Sequence, residues 1–347
     1  MLKWPARDPR MAPGHREMRA FEILLPAAIV LVLLVLLLGA AWLFGPRTPV
    51  DTTVTFDAAA IGDDPDAYLR NREARVPGIR PGQHKQIVWA DPVSKARTPL
   101  TIVYIHGFSA SPGEMRPLPD IVAAELGANL HFTRLSGHGT ATRPMENVSV
   151  HAWIDDFAEA LAIGERIGDR VVVMGTSTGG ALSTWAIAQP AFRNRVAAAV
   201  FCSPNYGVRA FGASLLTLPF ARQLTRLVMG RTRSFEPGTA LQRLYWTTTY
   251  PVDAILPMAE TVRLAVRAPV ETVTIPALFL ISPDDMVVDP AIARRVAARW
   301  GGPHRLIEVE GVEDPSRHVL AGDAISPSTT LPLAGRITAW LRQTLAS

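Results

Sequence analysis

Val171-Val-Val-Met-Gly-Thr-Ser-Thr-Gly-Gly180 is an apolar run that ends abruptly in glycines around one serine. Three valines and a methionine suit a strand buried on both faces, the situation of a central parallel strand. Gly175, Ser177 and Gly179 then spell G-x-S-x-G, the pattern of a nucleophile elbow. A strand that turns at once into a helix forces the serine into a strained backbone, and side chains two residues either side would collide. The hydroxyl then points away from the sheet edge, beside the N-terminus of the next helix. The same letters also describe a glycine-rich turn with no chemistry. The reading therefore depends on whether a base, an acid and amide donors fall in matching places.

Upstream, Leu100–Ile105 reads as another buried strand, followed directly by His106-Gly107-Phe108-Ser109. Gly107 allows that loop a close approach, and His106 is expected to hold the loop by hydrogen bonding. Asn129–Thr133 is the next strand and leads into Leu135-Ser-Gly-His-Gly139. His138, between two glycines and ahead of the serine, reads as a loop-shaping residue. His151–Asp156 fits H-x-x-x-x-D, an acyltransferase-like spacing. It opens a helix with Trp153, Ile154, Phe157 and Leu161, so a capped first turn is the expected role. Asn147-Val-Ser149 is a glycosylation sequon by pattern only.

Downstream, Val196–Cys202 continues the sheet, with Cys202 a small core residue. Ala277–Ile281 is the following strand and ends in Ser282-Pro-Asp-Asp-Met-Val-Val288. A carboxylate just past a strand's C-terminal end is well placed to orient a base. Asp284 and Asp285 compete for that position, and Asp285 is preferred, with Val287 and Val288 packing the turn. Arg305–Val309 is the last strand, and His318 lies in the loop after it. His304 is the rival, placed before that strand on the wrong edge of the sheet.

Serine, aspartate and histidine thus follow strands in the order Ser177, Asp285, His318, at the sheet edge where open α/β folds bind ligands. From about Thr98 onward the chain resembles the α/β-hydrolase superfamily, nearest its monoacylglycerol lipase, carboxylesterase and serine aminopeptidase branch. The segments that carry the likeness are His106-Gly-Phe-Ser109, Leu135-Ser-Gly-His-Gly139, Gly175-Thr-Ser-Thr-Gly179, Ser282-Pro-Asp-Asp285 and His318-Val-Leu320. Threonine fills both variable positions of the elbow, and Ser282 stands where glycine is usual; neither removes a reacting group. The resemblance implies an α/β fold with a mostly parallel central sheet, helices on both faces and a helical cap. It implies Ser177 as nucleophile, His318 as base, Asp285 as its orienting acid, and the Phe108 and Thr178 amides as oxyanion donors. His106, Gly107, Gly175 and Gly179 would shape the site, and neither cofactor nor metal is called for. The cap is expected over residues 206–267, with Leu215, Leu216, Leu218, Phe220, Leu224, Leu227, Val228, Tyr245 and Trp246 as apolar surface. Its eight arginines against Glu236, Asp253 and Glu260 favour an anionic headgroup over an amine. A lysophospholipid or monoacylglycerol-like ester is the expected substrate. A peptidase acting at free N-termini and an acyltransferase with the same triad are the alternatives; a binding module would be expected to lack a triad member.

The rest of the chain sets the context. At 347 residues it accommodates one large α/β domain or two ordinary ones. Cys202 is the only cysteine, which excludes an intrachain disulfide. A net charge of +4 comes with scattered arginines and no basic helix, so nucleic acid is not an expected partner, nor is an obligate protein partner. Residues 23–44 are apolar and uncharged, about the 20 residues a helix needs to cross a bilayer. Lys3, Arg7, Arg10, Arg16 and Arg19 precede them and only Arg47 follows closely. That asymmetry predicts a cytoplasmic segment 1–22, a signal-anchor helix 23–44 with Pro26 near its start, and a catalytic domain on the far side. Cleavage after the small residues Gly39-Ala40-Ala41, giving a secreted protein, is the alternative. Residues 45–85 read as a tether and lead-in with a short helix over Asp64–Ala74. Gln86–Ala90 opens the hydrolase domain, 86–347, as an edge strand.

Overall fold

The computed structural model describes residues 14–346, so Lys3, Arg7 and Arg10 lie outside the described residues. The chain forms two compact units. One is built on α1 (Gly14–Phe44) and includes Leu218–Phe220. The helix starts well before the apolar segment, so Pro26 is interior, where proline removes an i→i−4 hydrogen bond. All large side chains from Leu24 to Phe44 are exposed. The chain leaving α1 is held within this unit by the Phe220 N–H, which donates to the Pro46 carbonyl at 2.8 Å.

The second unit opens with α2 (Pro65–Glu73), capped by the Asp64 side chain, which accepts from Ala67 N–H. β1 (Gln86–Val88), β2 (Thr98–Ile105), α3 (Leu118–Leu126) and β3 (Asn129–Phe132) follow. Then come α4 (Val150–Ile167), β4 (Gly168–Thr176), α5 (Thr178–Ala188), the single turn α6 (Pro190–Arg193) and β5 (Ala198–Cys202). The region between core strands holds α7 (Ala221–Met229), β6 (Thr232–Ser234), α8 (Ala240–Tyr245), β7 (Thr249–Pro251) and α9 (Ile255–Arg267). β8 (Ala277–Ile281), α10 (Pro290–Arg299), β9 (His304–Glu308) and α11 (Thr330–Leu345) complete the chain.

Seven strands form one sheet in the order β1-β3-β2-β4-β5-β8-β9, parallel except for β1, which runs antiparallel to β3. The period of two along each strand explains the unbroken apolar runs. Val171, Val173, Phe201 and Phe279 face a layer shared with α4, α5 and α10. Val172, Met174, Val200, Cys202 and Leu278 face the opposite layer, shared with α3 and α11. Covering both faces makes the strands mostly apolar on each side, as parallel sheets require, with Thr101, Tyr104 and His131 as buried polar exceptions in β2 and β3.

Two elements differ from the sequence reading. The segment expected as a helical cap also contains a two-stranded antiparallel ribbon, with Arg233 opposite Tyr250, because Thr232, Thr249 and Tyr250 favour extended backbone. Its last helix, α9, packs on α5 as part of the core. The final strand begins one residue early, so His304 lies in β9 itself. It pairs with Ala277 at the start of β8, the opposite end of the sheet from Asp285, and is exposed.

Of residues 45–85, expected as a tether and lead-in, those from Thr48 onward belong to the second unit and are packed within it by buried charge. Arg134 makes a two-pronged ion pair with Glu73, Nη2 to Oε1 at 2.7 Å. Lys85 Nζ donates to Asp156 at 2.9 Å and to Glu159, which also accepts from the Tyr68 hydroxyl at 2.6 Å.

Candidate active site

The turn from β4 to α5 is built on close backbone contact. Ser177 has φ 50° and ψ −116°, a conformation that costs a non-glycine residue about 1–3 kcal/mol. A Cβ on Gly179 would lie 2.2 Å from the Ile105 carbonyl oxygen, and one on Gly175 would lie 2.9 Å from that of Gly179. The strand before the serine and the helix after it therefore touch through main chain alone, at the end of β2. Ser177 is held there by its own N–H, which donates to Cys202 O at 3.0 Å, and by its carbonyl, which accepts from Asn205 N–H at 2.9 Å.

Two loops bring side chains to this turn. The loop after β8 buries Asp285 and leaves Asp284 exposed. One Asp285 oxygen accepts from the amides of Val287 (2.8 Å) and Val288 (2.9 Å), so these valines hold the carboxylate by main chain; Val287 itself is exposed. The other oxygen accepts from His318 Nδ1–H at 2.7 Å. That hydrogen bond fixes the tautomer, leaving Nε2 as an acceptor for the Ser177 hydroxyl at 2.9 Å. Hydroxyl, imidazole and carboxylate form one continuous chain of hydrogen bonds, although Ser177 and His318 are 141 residues apart.

Burial works against a positive charge on His318. The hydrogen bond to Asp285, with the charges of Asp285, Asp314 and Glu114, outweighs it and raises the histidine above its ordinary value. Asp314 was not singled out in the sequence. One of its oxygens accepts from the amides of His318 and Val319, each at 2.9 Å, and from the Ser316 hydroxyl at 2.6 Å, which shapes the loop that carries the imidazole. Arg209 was missed too; its guanidinium donates to the Asp285 carbonyl at 2.7 Å and ties the loop after β5 to the one after β8.

Phe108 and Thr178 line the same pocket as Ser177 and His318. Thr178 is the first residue of α5, where a helix leaves its N–H without an intrahelical acceptor. Gly107 brings the other loop close; a Cβ there would stand 3.1 Å from Ser177 Cβ. The pocket measures about 440 Å³, and Phe108, Leu216, Trp246, Tyr250 and Met258 give it a mainly apolar wall. Of the eight arginines in 206–267, Arg233 alone lines it. Arg222 and Arg226 pair with Asp253, and Arg263 with Glu260, away from the pocket. Leu216 and Trp246 reach the pocket, whereas Leu224, Leu227 and Val228 are exposed.

His106, His138 and His151 are engaged elsewhere. His106 Nδ1–H donates to Gly107 O at 2.8 Å and Nε2 accepts from Leu135 N–H at 3.0 Å, so both ring nitrogens are used. His138 donates to Ser136 O at 3.2 Å and stacks edgewise on His106; burial pulls it down to about 4, and it stays neutral. His151 and Asp156 do not meet: the former contacts Thr53 and Thr55, the latter Lys85. Ser149 caps α4 through its side chain.

A mostly parallel sheet whose central strand breaks at a strained serine, with loops from two later strands converging on it, defines the α/β-hydrolase fold. The chain belongs to the alpha/beta hydrolase family, whose model matches residues 102–323. It is similar to the thermostable monoacylglycerol lipase of Bacillus sp. (strain H-257), 24% identical over 211 residues, 61% of this chain and 80% of that enzyme. Among solved structures it is similar to one described under LipS and LipT, two metagenome-derived lipolytic enzymes. That match has TM-score 0.62 and 23% identity, covering 76% of this chain and 99% of the other. It is also similar to a monoacylglycerol lipase of Paleococcus ferrophilus, with TM-score 0.57 and 15% identity, covering 75% and 99%. At these identities the structures establish a shared fold.

Proposed function

We propose that this protein is a serine hydrolase of carboxylic esters, with Ser177, His318 and Asp285 as its triad. The observation that carries the reading is the unbroken Ser177–His318–Asp285 hydrogen-bond chain opening into an apolar pocket. His318 takes the Ser177 proton as the hydroxyl oxygen attacks the acyl carbonyl, and Asp285 keeps the imidazole oriented and stabilises its positive form. The amides of Phe108 and Thr178 receive the developing oxyanion; one such donor is typically worth about 10²- to 10³-fold in rate. His318 then hands its proton to the leaving alcohol, and an activated water cleaves the acyl-enzyme.

The substrate is a lipid-like ester, of monoacylglycerol or lysophospholipid type. Support comes from the apolar walls, a volume that suits an acyl chain, and the lipases to which the chain is similar. Residues 206–267 act as the cap, and Arg233 is the one cap cation facing a bound headgroup. Residues 23–44 anchor the enzyme, with residues 1–22 cytoplasmic and the domain from 86 onward across the membrane.

The test is fluorophosphonate labelling and turnover of a short p-nitrophenyl ester by the full chain and by Ser177→Ala. Labelling at Ser177 and loss of at least about 10³-fold in kcat in the variant are expected; an active, labelled Ser177→Ala protein removes the assignment. A panel of neutral and anionic acyl glycerols then reads the headgroup. Equal kcat/KM across it would leave Arg233 without a role in specificity.

A further inference from the structure

One buried carboxylate beside the triad has no part in the chemistry above. Glu114 ends the short turn after the oxyanion loop and is enclosed by protein. Its Oε1 accepts from Gly107 N–H at 2.7 Å and from the Tyr104 hydroxyl at 2.8 Å. The Tyr104 hydroxyl lies 3.0 Å from Thr176 Oγ1. Gly107 immediately precedes Phe108, and Thr176 immediately precedes Ser177. A single oxygen therefore ties the loop of one candidate oxyanion donor to the strand end that presents the nucleophile. The packing there is tight: a Cβ added to Gly107 would meet Glu114 Oε2 at 3.0 Å and Ser177 Cβ at 3.1 Å.

We propose that Glu114 is a positioning residue that sets the spacing between the Phe108 amide and the Ser177 hydroxyl. The proposal rests on the serine-hydrolase reading and adds a residue that neither touches substrate nor belongs to the triad. The oxyanion exists only in the transition state, so a displaced amide lowers kcat and leaves substrate binding alone. A misplacement of about 1 Å costs on the order of 10²-fold.

The carboxylate also carries charge into the site. Burial pushes Glu114 up to about 7, against the hydrogen bonds from Tyr104 and Gly107 and the attraction of His318. The titratable groups facing it are Tyr104 from β2, Cys202 from β5 and His318 from the loop after β9, while Tyr245 of α8 packs on neighbouring Gly113. Tyr104 and Cys202 are both pushed up by burial and stay neutral near pH 7, so His318 is the partner that responds. Ionised Glu114 favours the imidazolium; removing that charge lowers the histidine.

The experiment compares Glu114→Ala and Glu114→Gln with wild type in the full chain, measuring kcat and KM for a soluble p-nitrophenyl ester from pH 5 to 9. In Glu114→Ala, kcat falls about 10- to 100-fold with KM within about twofold of wild type. Glu114→Gln keeps an acceptor oxygen for Gly107, so it recovers most of kcat on the alkaline plateau. Its acid limb in kcat/KM moves to lower pH because the negative charge beside His318 is gone. Wild-type kcat in Glu114→Ala, or a kcat in Glu114→Gln as low as that of Glu114→Ala, overturns the proposal. If the alanine variant does not fold, Tyr104→Phe, which breaks the link from Glu114 to Thr176, takes its place: a fall in kcat at constant KM supports the proposal and wild-type kcat overturns it. Failure of the hydrolase reading is distinguishable, since wild type would then neither turn over ester nor take fluorophosphonate at Ser177.

Discussion

At the scale of single residues, the imidazole of His318 is where geometry and protonation meet. As the proposed base it must be neutral to accept the Ser177 proton, yet its surroundings favour the charged form: Asp285 directly, Asp314 and Glu114 through space. Raising the pKa of a base moves the acid limb of kcat/KM upward, so activity should switch on above the ordinary histidine value of about 6.5. Asp285→Asn tests both contributions. The amide cannot stabilise the imidazolium and invites the wrong tautomer, with a loss on the order of 10⁴-fold in kcat. Any residual activity should titrate at lower pH than in wild type, because the attracting charge has been removed. A pH–rate profile of the two proteins checks this; an unshifted limb would mean that Asp285 does not govern the protonation of His318. Asp284→Asn is the control: its side chain is exposed and outside this chain of hydrogen bonds, so it should retain wild-type kinetics.

At the scale of elements, strands were legible and charge clusters were not. Val171–Met174 and Ala277–Ile281 announce themselves because both faces of a parallel strand are buried, which leaves a signal inside a few consecutive residues. Asp285 was legible for a related reason, since it follows closely on the buried strand β8, whereas His318 was legible through chain order, lying in a longer loop after the largely exposed β9. Asp314, Arg209 and Glu114 left no such signal: each works through main-chain partners in loops whose paths local sequence does not encode. The ribbon of β6 and β7 was hidden because two three-residue strands are too short to show a period. The charges of the lead-in are the extreme case, with Lys85 meeting Asp156 across 71 positions. Lys85 is enclosed by Asp156, Glu159 and Glu73; burial opposes its charge, but those carboxylates outweigh it and raise its pKa. Lys85→Met would leave buried Asp156 without a cation and Glu159 with only the half-exposed Arg72, and breaking such a cluster from one side costs about 3–5 kcal/mol. The urea midpoint should fall accordingly, with part of the loss recovered in Lys85→Met/Asp156→Asn, where the uncompensated charge is removed. A single variant within about 1 kcal/mol of wild type would show that residues 48–85 are not anchored by this cluster.

At the scale of the whole molecule, the open matter is what covers α1. The stretch Leu24–Phe44 has 21 residues, and at about 1.5 Å per residue it spans about 31 Å, the thickness of a bilayer's hydrocarbon core. Its leucines, valines and isoleucine are exposed around the whole circumference, with no polar stripe that would mark a surface helix of a soluble domain. Soluble monomers rarely expose apolar patches beyond a few hundred Å², so this helix calls for a nonaqueous neighbour or for removal. A retained anchor and a cleaved signal make opposite predictions for the mature N-terminus. Retention is favoured here by length, since a signal core runs about 7–15 apolar residues. The full chain, expressed with a C-terminal epitope, should therefore stay in the membrane pellet after alkaline carbonate washing and keep residues 24–44 on N-terminal sequencing or mass mapping. With the basic residues ahead of the apolar stretch, the epitope should be digested by protease added from the side opposite the cytoplasm. Release by carbonate, or a mature chain that begins near Ala41, would leave a hydrolase with the same pocket but no tether. Lipid substrate would then have to reach Ser177 from solution.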